Sequence, residues 1–256
     1  KLTKHHFTLF LCIAASVSGA CLVYAGLLKI AEILFGISIQ HEAGYICAML
    51  FIIPGFPFIT SGLDLAKLDM RSGLERAAYA LLIITVATLV GWLVALMVHL
   101  RPANFAALPL NEWQLLLLRL PASFCGVFGF SIMFNSTPKM AAMAGVIGAL
   151  GNTLRLELVD FGMAAGPAAF LGALACGLLA AIIRNRVGYP RIAITIPSVV
   201  IMVPGLYMYR AVYNLGLQSV NTGAEWLTRA MLIVLFLPLG QVAARVLTDT
   251  KWRHNG

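Results

Sequence analysis

The sequence predicts an all-α fold, a polytopic helical membrane protein of about eight transmembrane helices built as an inverted-topology repeat with Pro-Gly broken helices. Three observations predict it. Hydrophobic residues make up 61% of the 256-residue chain and charged residues only 11%, against about 45–50% and about 25% in soluble domains. The apolar residues fall in runs approaching the roughly 20 residues that cross hydrocarbon. Two of those runs carry a Pro-Gly pair, Pro54-Gly55 and Pro204-Gly205, at positions 150 residues apart.

The expected spans run 7–27 (continuing toward 35), 43–60, 77–98, 114–134, 138–153, 159–183, 191–209 and 225–247. The second and seventh contain the Pro-Gly pairs, and the fifth is short and glycine-rich (Gly145, Gly148, Gly151). Loop charges orient them. With the first residue cytoplasmic, inner segments hold Lys1, Lys4, Lys67, Arg71, Arg76, Lys139, Arg184, Arg186, Arg191, Arg245, Lys251 and Arg253, and outer segments only Lys29, Arg101, Arg155 and Arg210. That bias follows the positive-inside rule and puts both ends of the chain in the cytoplasm. It also accounts for the net charge of +8 without a nucleic-acid partner. The cysteines (Cys12, Cys21, Cys47, Cys125, Cys176) sit in apolar runs without CxxC spacing, as small packed hydrophobes do.

Sliding the sequence along itself by 150 residues aligns Pro54-Gly55 with Pro204-Gly205, Asp64-Leu65 with Asn214-Leu215, Ser72-Gly73 with Thr222-Gly223, and Glu75 with Glu225. Over residues 54–89, nine of 36 positions are identical without a gap. We read this as an internal duplication. The span count places the first Pro-Gly helix outside-to-inside and the second inside-to-outside, the inverted arrangement of secondary transporters. The domains are then residues 1–102, an incomplete first repeat of three helices, and 111–251, a second repeat of five. Two helices are expected to precede Lys1.

A proline removes a backbone donor and glycine weakens a helix. A helix broken at membrane depth therefore exposes carbonyls, N–H groups and two helix ends, a means of holding a small anion or zwitterion. Pro54, Gly55, Pro204 and Gly205 are on this ground the candidate substrate-binding positions. The alternative for a single break is a packing kink. Asp64 is a candidate proton carrier, because burial raises a carboxyl pKa, or an interfacial carboxylate paired with Lys67 or Arg76. Tyr209 and Arg210 follow the second break. Arg210 either forks onto a substrate carboxylate or anchors the outer interface with Tyr209. Asn135 either hydrogen-bonds within the bundle or is a helix cap before the turn at Ser136-Thr137-Pro138. Arg119 is expected to snorkel outward, and Glu157 and Asp160 to face water. The histidines form no metal-binding cluster, and no cofactor is expected. No HExxH or GxSxG pattern or aspartate pair within the spans points to an enzyme.

The chain resembles the threonine/serine exporter family. The resemblance rests on Val203-Pro-Gly followed by Tyr209-Arg210 and preceded by Tyr189-Pro190, and on Gly129-Phe-Ser-Ile-Met-Phe-Asn-Ser-Thr-Pro138. It also rests on Pro54-Gly-Phe-Pro57, Asp64-Leu65 and Ser72-Gly-Leu-Glu-Arg76. It covers about residues 7 to 249, with departures at Glu75, Pro57 and Tyr207. It implies a bacterial inner-membrane exporter of threonine and serine driven by the proton-motive force, and a cytosolic region and two helices before Lys1. Related two-chain members imply small dicarboxylates as alternative substrates; a passive channel or scaffold is the other alternative. The partners implied are a small-molecule substrate (threonine, serine or a small carboxylate), protons and the lipid bilayer, with a homo-oligomer left open.

Overall fold

The computed structural model describes residues 7–36, 42–100, 110–217 and 219–252. The domain boundary expected at residue 102 lies outside them, as do Lys1, Lys4, His5, His6, His41, Arg101, Arg253 and His254. Among the described residues every regular element is helical: α1 (Leu9–Phe35), α2 (Glu42–Met49), α3 (Gly55–Ala66), α4 (Met70–Met97), α5 (Glu112–Met133), α6 (Pro138–Asp160), α7 (Ala165–Val187), α8 (Arg191–Val200), α9 (Gly205–Gly216) and α10 (Val220–Thr248), with short 3-10 turns at Leu50–Ile52 and Thr250–Trp252. Among the described residues, six helices are long and apolar enough to cross a membrane. Two bent pairs, one pair flanking each Pro-Gly, raise the number to eight if each pair is one span. The chain is a multi-pass membrane protein.

The expected second and seventh spans are thus each two helices, bent by 56° and 41°. Several others outrun their apolar cores. α4 begins at Met70 because its first turns are polar yet internally satisfied: Asp69 accepts from the Ser72 N–H at 3.3 Å, and Arg71 meets Glu75 at 3.1 Å. α6 continues past 153 to Asp160 because its late charged residues find partners on other helices, described below. α7 starts at Ala165, after a turn in which Gly162 takes φ +90°, a conformation that suits a residue without Cβ.

The chain divides into two compact units, and the division falls at the breaks. One unit holds residues 1–54, 78–107 and 204–230; the other holds 55–77, 108–203 and 231–256. In the first, α1, α2, the second part of α4 and α9 enclose a core of Val17, Cys21, Tyr45, Met49, Ala87, Ala95 and Tyr209. The Tyr45 hydroxyl donates to the Gly91 carbonyl at 2.6 Å, so this buried phenol is satisfied. In the second, α6 is the central helix, packed by α5, α7 and α8. Its small-residue face lets backbones approach as membrane helices commonly do. A Cβ at Gly148 would lie 2.5 Å from a Val127 methyl and 3.0 Å from the Ser198 carbonyl. Large apolar side chains such as Leu27, Ile33, Leu117 and Leu235 remain exposed, where lipid solvates them.

Candidate functional site

At the first break the Leu50 carbonyl accepts the Ile53 N–H at 3.1 Å, and at the second the Val200 carbonyl accepts the Val203 N–H, also at 3.1 Å. Each helix tightens into a three-residue turn, stops, and a new helix starts one residue after the proline. α3 and α9 occupy residues 55–66 and 205–216, the same twelve positions under the 150-residue offset. Pro54, Gly55, Pro204 and Gly205 are all buried.

The packing around the two glycines is reciprocal. Within one unit, a Cβ on Gly55 would meet Val200 Cγ1 at 2.9 Å and Val203 Cγ2 at 3.2 Å. Within the other, a Cβ on Gly205 would meet Ile53 Cδ1 at 2.5 Å and Leu50 Cδ2 at 3.5 Å. Val200 and Val203 are the offset counterparts of Leu50 and Ile53. The correspondence continues at the far ends of α3 and α9. Gly73 lies against Leu65, whose Cγ would be 2.6 Å from an added Cβ, and Gly223 against Leu215 at the same 2.6 Å. The Asp69 N–H reaches the Asp64 carbonyl at 3.1 Å, and the Ser219 N–H reaches that of Asn214 at 2.9 Å.

The other expected site residues have separate surroundings. Tyr209 is fully buried, its ring 6.0 Å from Tyr45 and 6.1 Å from Tyr213. Its neighbour Arg210 is half-buried and stacks over the Trp226 ring at 4.8 Å. It lines an open cleft of about 970 Å³ with His99, Asn214 and Glu225. Asp64 is ion-paired with Arg76 at 2.6 Å, with 24% of its side chain exposed; of the two partners considered for it, Arg76 is the one it has. Asn135 is exposed in the α5–α6 turn with φ +62°. The cap of α6 is Thr137, whose hydroxyl accepts the Met140 N–H at 3.4 Å.

Sequence reasoning missed two cations. Arg119 does not simply snorkel: its guanidinium bridges Glu157 at 2.7 Å and Asp160 at 2.6 Å, so those carboxylates do more than face water. Arg155, assigned to an outer segment, donates to the Met202 carbonyl at 3.0 Å, two residues before Pro204. One turn earlier on α6, the Asn152 amide donates to Ser123 Oγ at 2.9 Å. The available signal was the i, i+3 spacing of Asn152 and Arg155, which puts two polar groups on neighbouring turns of an apolar helix.

Two interrupted spans, offset by 150 residues and embedded in a helical membrane bundle, define a multi-pass protein whose backbone is opened inside its spans. The family model described as "Threonine/Serine exporter, ThrE" matches residues 119–247, and a further threonine/serine exporter model matches residues 1–99. The chain belongs to the threonine/serine exporter family. It is also 30% identical over 135 residues to an uncharacterized protein of Haemophilus influenzae, the match covering 48% of this chain and 45% of that relative. The chain thus spans less than half the length of that relative. No solved structure matches it.

Proposed function

We propose that the protein exports small amino acids, threonine and serine, from the cytoplasm across the bacterial inner membrane, coupled to protons, by alternating access of two inverted repeats. The observation that carries this reading is the reciprocal packing of the breaks, Gly55 on Val200 and Val203, and Gly205 on Leu50 and Ile53. A packing kink needs no such correspondence; a duplicated, symmetry-related binding element does. Backbone groups freed at Pro54-Gly55 and Pro204-Gly205 hold the substrate. Arg210 acts as a further substrate contact from the cleft it lines; Asn135, exposed in the α5–α6 turn, and the buried Tyr209 are the remaining substrate-binding candidates.

Asp64 is the proposed proton carrier. Its carboxylate is held by Arg76, so protonation would neutralise one side of the pair and release Arg76, linking proton occupancy to the inner end of α3. Both termini of this chain face the cytoplasm in this reading.

The test is efflux of threonine and serine from loaded cells carrying the natural full-length protein. Gly55→Leu and Gly205→Leu, each checked for expression and folding, are expected to abolish efflux. Normal efflux by both would reduce the breaks to kinks. Asp64→Asn is expected to stop proton-driven net export while leaving threonine–threonine exchange intact; a variant that still pumps removes Asp64 from the proton path.

A further inference from the structure

Arg155 lies five residues before the end of α6, about 8 Å from it at 1.5 Å per residue. An arginine so placed ordinarily extends toward the nearer interface. This one has a backbone carbonyl of another helix pair for a partner. Side chains on a helix lean toward its N-terminus, here away from the close end, and the guanidinium reaches the Met202 carbonyl at 3.0 Å. Met202 lies near the middle of the interrupted span formed by α8 and α9. The backbone there is not helical, so that carbonyl is among those the Pro204 break leaves without a helical donor.

The neighbourhood is built for it. A Cβ on Gly172 would lie 2.8 Å from the Gly151 carbonyl, 3.1 Å from Arg155 Cβ and 3.3 Å from Met202 Sδ, so α7 approaches α6 closely beside Arg155 and Met202. Asn152, one turn earlier, is 93% buried at 7% exposure. It spends its N–H on Ser123 while its Oδ1 has no partner among the described residues. A buried amide oxygen in that state carries a desolvation cost unless something donates to it. Gly55 packs against Val200 and Val203, so the start of α3 and Arg155 both approach the same four-residue stretch. All these residues belong to one compact unit.

We propose that Arg155 is the specificity-determining cation of the transport site, taking the carboxylate of a small amino or hydroxy acid in place of the Met202 carbonyl. The inference rests on the transport reading above and adds the residue that selects carboxylates. A planar guanidinium offers two parallel donors matched to a carboxylate, and an ionised acceptor is stronger than a neutral carbonyl. Exchange of one for the other thus favours a substrate bearing a carboxylate over its amide. Asn152 Oδ1 supplies an acceptor for the substrate's ammonium or hydroxyl hydrogens.

The experiment is calorimetric binding to the purified full-length protein of three probes: threonine, threoninamide and succinate. Threonine is expected to bind at least about 10-fold more tightly than threoninamide. Arg155→Gln is expected to weaken threonine about 10- to 100-fold and leave threoninamide unchanged. Arg155→Lys, which keeps the charge without the fork, falls between, and it reads the same ratio should Arg155→Gln fail to fold. If Arg155→Gln weakens both probes equally, or neither, Arg155 only caps the broken helix and the proposal is overturned. Binding of succinate but not threonine, with the same dependence on Arg155, would overturn the amino-acid reading and uphold the arginine. Binding of no probe overturns both.

Discussion

Gly205→Ala should destabilise the protein through a single methyl clash, and Ile53→Val should relieve it. An added Cβ at Gly205 would sit 2.5 Å from Ile53 Cδ1 and 3.5 Å from Leu50 Cδ2, with Ile53 Cγ1 at 3.9 Å. Carbon contacts are optimal near 3.5–4.0 Å, so Cδ1 is the only offender, about 1 Å too close. Overpacking of this kind costs about 1–3 kcal/mol. Because Cδ1 is the far end of a side chain that can rotate, the lower half of that range is expected. At Gly55 the nearest atom is farther, 2.9 Å, but it is Val200 Cγ1, with Val203 Cγ2 at 3.2 Å. Both are methyls on β-branched side chains with little freedom at χ1. Gly55→Ala is therefore the costlier change, despite the longer distance. Ile53→Val alone costs about 0.5–1.5 kcal/mol. In the Gly205→Ala background it removes the offending atom, so the double variant should be more stable than the two losses summed, with a coupling of about 1 kcal/mol. Thermal unfolding of the four proteins in one detergent measures it. Additive losses, or a Gly205→Ala penalty exceeding that of Gly55→Ala, would refute the reasoning.

The other expectations follow the same geometry. Gly73→Ala and Gly223→Ala each place a Cβ 2.6 Å from a leucine Cγ, Leu65 and Leu215, and should cost similar amounts, about 1–3 kcal/mol; melting temperatures that differ several-fold in their shift would contradict equivalent packing. Arg119→Met removes a cation 20% exposed that serves two carboxylates, whereas Arg229→Met breaks a pair with Glu225 in which both side chains are more than half exposed. Exposed pairs contribute about 0–1 kcal/mol, so Arg119→Met should lower the melting temperature clearly more, and equal shifts would show that the Arg119 bridge contributes nothing.

Much of this was legible from the chain. Apolar runs reported the spans, because partition between water and hydrocarbon is a local property of composition. The breaks were legible for the same reason: a missing N–H at Pro54 and Pro204 and the conformational freedom of the following glycine act within one turn. The 150-residue register was also written in the residues, and α3 and α9 keep it to the residue.

Only the tertiary structure decided what those elements meet. Tyr209 and Arg210 are adjacent in sequence, yet one closes a core with Tyr45 and the other stacks over Trp226 in an open cleft, because successive residues on a helix point about 100° apart. Hydropathy placed Arg155 and Arg119 near span ends and sent both toward water. Their carbonyl and carboxylate partners lie 38 to 47 residues away in the chain, and α6 runs on to Asp160 with the charges that make those pairs. A charged group inside a bundle goes where another helix supplies a partner, and which helix that is depends on packing, which no window of sequence contains.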